Sequence, residues 1–114
     1  MNSHPTIKDI TIKNINGRTV LGPVNALTHK NCDQLSKLFK DLFKKNVVDI
    51  VLDMNAVSLM DSYALEVLMD MQSQLKEKGR NLIISDINEV CKDILICTRL
   101  INEFRIVKTK HSSP

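Results

Sequence analysis

The sequence predicts a single α/β domain, built on a mixed and mostly parallel sheet with an N-terminal hairpin and three packed helices. Two observations carry this expectation. An Asn-Gly pair, Asn16-Gly17, separates two short runs with the alternation of strands. After it, apolar stripes at helical spacing take turns with short apolar runs bounded by turn residues. The order is strand, strand, helix, strand, helix, strand, helix, strand. Helices that alternate with strands act as crossovers, and crossovers join parallel neighbours. With 114 residues, the chain can withdraw roughly two-thirds of its unfolded surface from water. Residues 1–114 are therefore read as one domain, with loose ends at about 1–6 and 109–114.

Each element has its own signal. Ile10, Thr11 and Ile12 alternate as a half-buried strand does, and Arg18 to Leu21 resumes the pattern after the turn. Ile15 breaks the alternation, which leaves open a bulge or a turn placed elsewhere. Pro23 lacks the donor that a continuing central strand needs. Thr28 is a candidate N-cap for the first helix, whose stripe is Cys32, Leu35, Leu38, Phe39, Leu42 and Phe43. Asn46 is placed to end it. The apolar run at 47–52 reads as a buried strand that closes at Asp53. A second helix follows Asp61 and Ser62 and runs to about Lys78, with Ala64, Leu65, Leu68, Met69, Met71 and Leu75 on its apolar side. Gly79 marks its end. The run 81–85 reads as a strand. Asp86 and Asn88 offer caps for a third helix with Val90, Cys91, Ile94, Leu95 and Thr98 on one face, and 104–107 reads as the last strand.

The chain is organised around Asp61 and Ser62. A small hydroxyl stands there at the N-terminal mouth of a helix, where free backbone N–H groups and the positive end of the helix dipole would accept a phosphate. The plain alternative is an ordinary N-cap, or a capping box from Ser58 to Asp61 with an earlier helix start.

This passage resembles the signature of STAS domains, the fold of bacterial anti-sigma-factor antagonists. Those domains show an apolar strand ending in Asp, a short loop, and an apolar pair followed by Asp-Ser-Ser-Gly-Leu. Here the strand ends at Asp53 and the motif reads Leu59-Met60-Asp61-Ser62-Tyr63-Ala64-Leu65. Tyr63 replaces the second Ser and Ala64 replaces the Gly. The turn Lys78-Gly79-Arg80 before an apolar run is also similar to the family's, and Thr98-Arg99-Leu100 stands where Thr-Gly-Leu is usual. Many members carry a fourth helix at the C-terminus, and the residues after the last expected strand are expected to be too few for a full one.

The resemblance implies a cytoplasmic, phosphorylation-switched binding protein rather than an enzyme. Ser62 would be the phosphorylation site, and Asp61, Ser62, Tyr63 and Ala64 would meet the partner. That partner would be an anti-sigma factor that is also a serine kinase, and a phosphatase would reset the switch. The resemblance leaves a second possibility, a non-switching STAS scaffold or sensory module in which Ser62 only caps the helix. Tyr63 is open to two roles, an interface residue or one packed under the loop. The expected state is a monomer or weak dimer.

Composition narrows the classes further. The net charge of +3, from 16 basic and 13 acidic residues, is too weak to argue for nucleic acid. Lys30, Lys37, Lys40, Lys44 and Lys45 read as a solvated helix face. One Tyr and three Phe make no base-stacking platform. The three cysteines, Cys32, Cys91 and Cys97, include no C-x-x-C pair and follow no signal peptide, which suggests a reducing cytoplasm. No apolar run approaches a membrane span. His4, His29 and His111 lack paired ligand spacing, so neither metal nor cofactor is expected. A Gly-rich phosphate loop and a Ser-His constellation are missing from the sequence, as is the early acidic pair of a phosphoaspartyl receiver.

Overall fold

Asn16 and Gly17 both take positive φ, 52° and 81°, the backbone that a two-residue hairpin turn requires. They join β1 (Ile10–Ile15) to β2 (Arg18–Pro23). The computed structural model describes residues 10–109. His4, His111 and most of the two expected loose ends lie outside that range. Thr109 lies inside it, where its N–H and hydroxyl both donate to the Asp86 carboxylate. The hairpin ladder is regular from Ile15 opposite Arg18 to Ile10 opposite Pro23. Ile15 forms no bulge. It lies on the other face of the strand from Ile10 and Ile12.

After the hairpin come α1 (His29–Lys44), β3 (Ile50–Asp53), α2 (Ser62–Glu77), β4 (Ile83–Ser85), α3 (Glu89–Cys97), a 3-10 turn at Ile101–Glu103, and β5 (Arg105–Val107). The five strands lie in chain order, antiparallel between β1 and β2 and parallel from β2 to β5. Every crossover steps one strand in the same direction. Right-handed crossovers of that kind bring all three helices to one face of the sheet.

The register shows which face that is. Leu21, Leu52 and Ile84 stand side by side in β2, β3 and β4, and each is fully buried. They share one apolar cluster with Leu35 and Phe39 of α1, Leu68 and Met71 of α2 and Leu95 of α3. Fully burying a side chain of this size contributes about 1.5–3 kcal/mol, so this layer dominates the fold.

Several boundaries differ from the sequence reading. β3 begins at Ile50, not at Val47, because the end of α1 takes the Val47 N–H: it donates to Leu42 O at 2.9 Å, with Asn46 at a φ of 63°. Val47 and Val48 then pack against the core from a loop. β4 begins at Ile83, since Leu82 N–H donates to Gln72 Oε1 at 2.7 Å. In α3 only Cys91 and Leu95 are buried. Val90 is 55% exposed, and Thr98 is exposed at the helix end, where its hydroxyl donates to Ile94 O. A nine-residue helix offers its neighbours a narrower stripe than the sequence suggested.

Candidate functional site at the start of α2

The loop from Met54 to Asp61 is fastened on both flanks. At its start, Met54 N–H donates to Ser85 O at 2.9 Å and Asn55 N–H donates to Asp53 Oδ1 at 2.9 Å. It then lies along the segment that precedes α1. Asn25 N–H donates to Ala56 O (2.9 Å), Leu27 N–H to Leu59 O (2.8 Å) and Asp61 N–H to Leu27 O (3.3 Å). On the other flank, Asn88 Nδ2 donates to Val57 O at 3.1 Å and to Ser58 O at 3.2 Å. The same side chain caps α3, its Oδ1 accepting from Cys91 N–H at 2.8 Å. Val57 and Met60 plug the loop into the core, at 1% and 4% exposure. A loop so held presents its end in one geometry.

That end is Asp61, the N-cap of α2. Its Oδ1 accepts from Ala64 N–H at 2.9 Å and its carbonyl from Leu65 N–H at 3.3 Å. The earlier start with a box from Ser58 does not occur. Ser62 is the first helical residue and is exposed. The N–H groups of Ser62 and Tyr63 have no acceptor within the helix, and the helix dipole adds positive potential there.

Tyr63 ties α2 to α1. Its hydroxyl donates to Asp33 Oδ1 at 2.7 Å, and its ring lies 4.6 Å from the His29 ring, centroid to centroid. His29 Nε2 is 3.9 Å from Asp33 Oδ2. The ring also packs on the core edge, as in the packing role left open for Tyr63. The hydrogen bond to Asp33 raises the phenol above its ordinary pKa, with smaller contributions from burial and the Asp33 charge. Beneath them Cys32 is fully buried. Burial, then the charges of Asp61 and Asp33, push its thiol up to about 12. It remains protonated and is no nucleophile at neutral pH.

Of the four residues expected to meet a partner, Asp61, Ser62 and Tyr63 come together at the surface. Ala64 is fully buried, because the third helical position turns inward. Its side chain meets the core, and only its backbone, capped by Asp61, belongs to the site. His29, Asp33, Leu27 and Asn88 were missed as parts of this place. For His29 and Asp33 the sequence signal was the Thr28 cap, which starts α1 and puts them one turn apart; for Asn88 it was its place as a cap of α3. Among the described residues, no group of three or more His, Cys, Asp or Glu is placed to hold a metal ion. No helix among them is long and apolar enough to cross a membrane.

Comparison with known proteins agrees with this architecture. A Thermotoga maritima protein described as a candidate anti-sigma factor antagonist superposes with a TM-score of 0.82 at 23% identity, covering 88% of this chain and 86% of that one. An anti-sigma-factor antagonist (STAS) domain protein from Planctomyces limnophilus gives 0.79 at 18% identity, covering 90% and 92%. The anti-sigma factor antagonist SpoIIAA in its unphosphorylated form gives 0.76 at 14% identity, covering 90% and 89%. At these identities the likeness is one of fold. No curated protein sequence matches the chain. The family model of the STAS domain matches residues 9–113, nearly the whole sequence, and the chain therefore belongs to the STAS domain family.

Proposed function

We propose that this protein is an anti-sigma-factor antagonist of the partner-switching kind, acting in the cytoplasm as a binding protein rather than an enzyme. In this reading it binds an anti-sigma factor that is also a serine kinase. The kinase phosphorylates Ser62 Oγ, the complex separates, and a phosphatase restores the unmodified form. One observation carries the reading: Ser62 is exposed at the first position of α2, beyond a loop fastened on both flanks. A phosphate there adds about −1.5 to −2 charges beside Asp61. The free N–H groups of the helix start donate hydrogen bonds to it, so the fold need not move. A partner packed on this spot would meet bulk, a desolvation cost and repulsion from its own acidic groups. A loss of about 3–4 kcal/mol weakens binding roughly 10²–10³-fold.

The non-switching scaffold reading draws on Tyr63. A ring held by Asp33 and His29 stands beside Ser62, where the family motif has a small Ser. Two variants separate the readings in a co-purification with the native partner. Under the switch, Ser62→Ala keeps the complex and Ser62→Asp loses it while remaining folded. Equal retention by both variants contradicts the switch and favours the scaffold.

A further inference from the structure

The face of the sheet opposite the helices carries a surface of its own. Val20, Val51 and Ile83 stand side by side in β2, β3 and β4. None of them belongs to the helix-side core, yet Val51 is only 7% exposed. They are the floor of a trough. A hollow of about 540 Å³ lies over Ile15, Val20 and Val51, with Arg18, Asp53 and Ser85 at its rim. A second hollow of about 260 Å³ adjoins it, sharing Arg18 and lined by Ile83, Arg80 and Arg105.

The rim is basic. In the register Lys13 lies opposite Val20, Arg18 opposite Ile15, and Arg105 opposite Ile83. All three are exposed, and none has an ion pair among the described residues. Of the two carboxylates nearby, Asp49 pairs with Arg80 at 3.3 Å, and Asp53 keeps its charge while accepting from Asn55 N–H, so the cations outnumber the carboxylates.

We propose that this sheet face, uncovered among the described residues, is a second docking surface, and that its occupant is an acidic amphipathic helix of a partner protein. A helix presents an apolar ridge that fits a trough, with acidic flanks that meet Lys13, Arg18 and Arg105. A second copy of this chain would bring those same cations against each other. A flat bilayer would touch the rim and leave the recessed Val51 floor unfilled. Five strands span about 19 Å from first to last, the length of roughly 13 helical residues. The surface lies across the sheet from α2, so its use does not depend on the reading of Ser62, and the protein can hold two partners at once.

The test uses the whole chain and two synthetic helical peptides of equal length. Both carry the same Leu and Ile stripe, one with Glu and the other with Lys at the remaining positions. Methyl NMR reads where they bind. The Glu peptide is expected to shift the Val20, Val51 and Ile83 methyls, to leave those of Leu68 and Leu95 in place, and to weaken as salt is added. Charge reversal at Arg18→Glu with Arg105→Glu is expected to weaken it about tenfold or more and to favour the Lys peptide. Unmoved Leu52 methyls confirm that this exposed pair of changes leaves the fold intact. Several results overturn the proposal: no shift of the three methyls up to about 1 mM peptide, equal binding of both peptides, or shifts confined to the helix side. It is overturned equally if these methyls are covered by a second copy, seen as concentration-dependent dimerisation, or by phosphatidylglycerol vesicles when the Glu peptide fails.

Discussion

Asp61 has a structural task that is separable from any partner contact. Its carboxylate accepts the Ala64 N–H and so satisfies one free donor of α2. Replacing Asp61 with Ala is expected to cost about 1 kcal/mol in urea unfolding, and Asp61→Asn to restore most of it, because both acids and amides cap well. If Asp61→Asn keeps stability yet weakens partner binding, the charge itself touches the partner. Tyr63 can be followed alone, since it is the only tyrosine in the chain. An ultraviolet absorbance titration is expected to place its midpoint above the ordinary 10.0, and Asp33→Asn to bring it back down. The folded protein holds this proton more tightly than the unfolded chain does. The associated stability is thus full below pH 10.0 and is lost as pH rises through the higher folded value. At this scale the sequence displayed Asp61 and Ser62 because cap and hydroxyl are local signals. It could not display Asp33, which reaches Tyr63 from 30 residues away.

Among the elements, α2 has a feature that its apolar pattern concealed. Gln72 is 2% exposed and serves three groups. Its Oε1 accepts from Leu82 N–H, while its Nε2 donates to Asn81 Oδ1 and Glu103 O. It fastens the helix to the entries of β4 and β5. Gln72→Leu leaves the buried Leu82 N–H unpaired and releases the exposed Asn81 and Glu103 to water, and equilibrium unfolding is expected to show a loss of about 1–3 kcal/mol. An unchanged midpoint would mean that water or a shifted backbone replaces the amide. The thiols report on the packing of α1 and α3. Cys32 and Cys91 are buried and Cys97 is exposed, so a thiol reagent is expected to label Cys97 alone until the protein unfolds. The existence and order of the elements were legible because each carries its own periodicity and stop signal. Their edges were less so. The start of β3 was decided by a bond from Val47 back to α1, and the start of β4 by Gln72, neither of which is a property of the strand sequence itself.

Over the whole molecule, the strand order and the hand of the crossovers divide the sheet into a helix-covered side and an opposite side. The helix side builds the core and presents Ser62. The other side leaves a basic trough. The first was legible from the sequence through the Asp61-Ser62 motif. The second was not, because Lys13, Arg18 and Arg105 share one face only once five separate segments pair in register. Under the proposed switch, a phosphate on Ser62 would change charge rather than shape. Ser62→Asp is expected to move stability by no more than about 0.5 kcal/mol, as for an exposed substitution away from the core. The most direct measurement of the central claim is phosphosite mapping by mass spectrometry on the protein recovered from its own cells, in growth and under stress. A phosphate on Ser62 that comes and goes with condition is the predicted result. Ser62 unmodified in every condition, in a protein that stays in one stable complex, would contradict it.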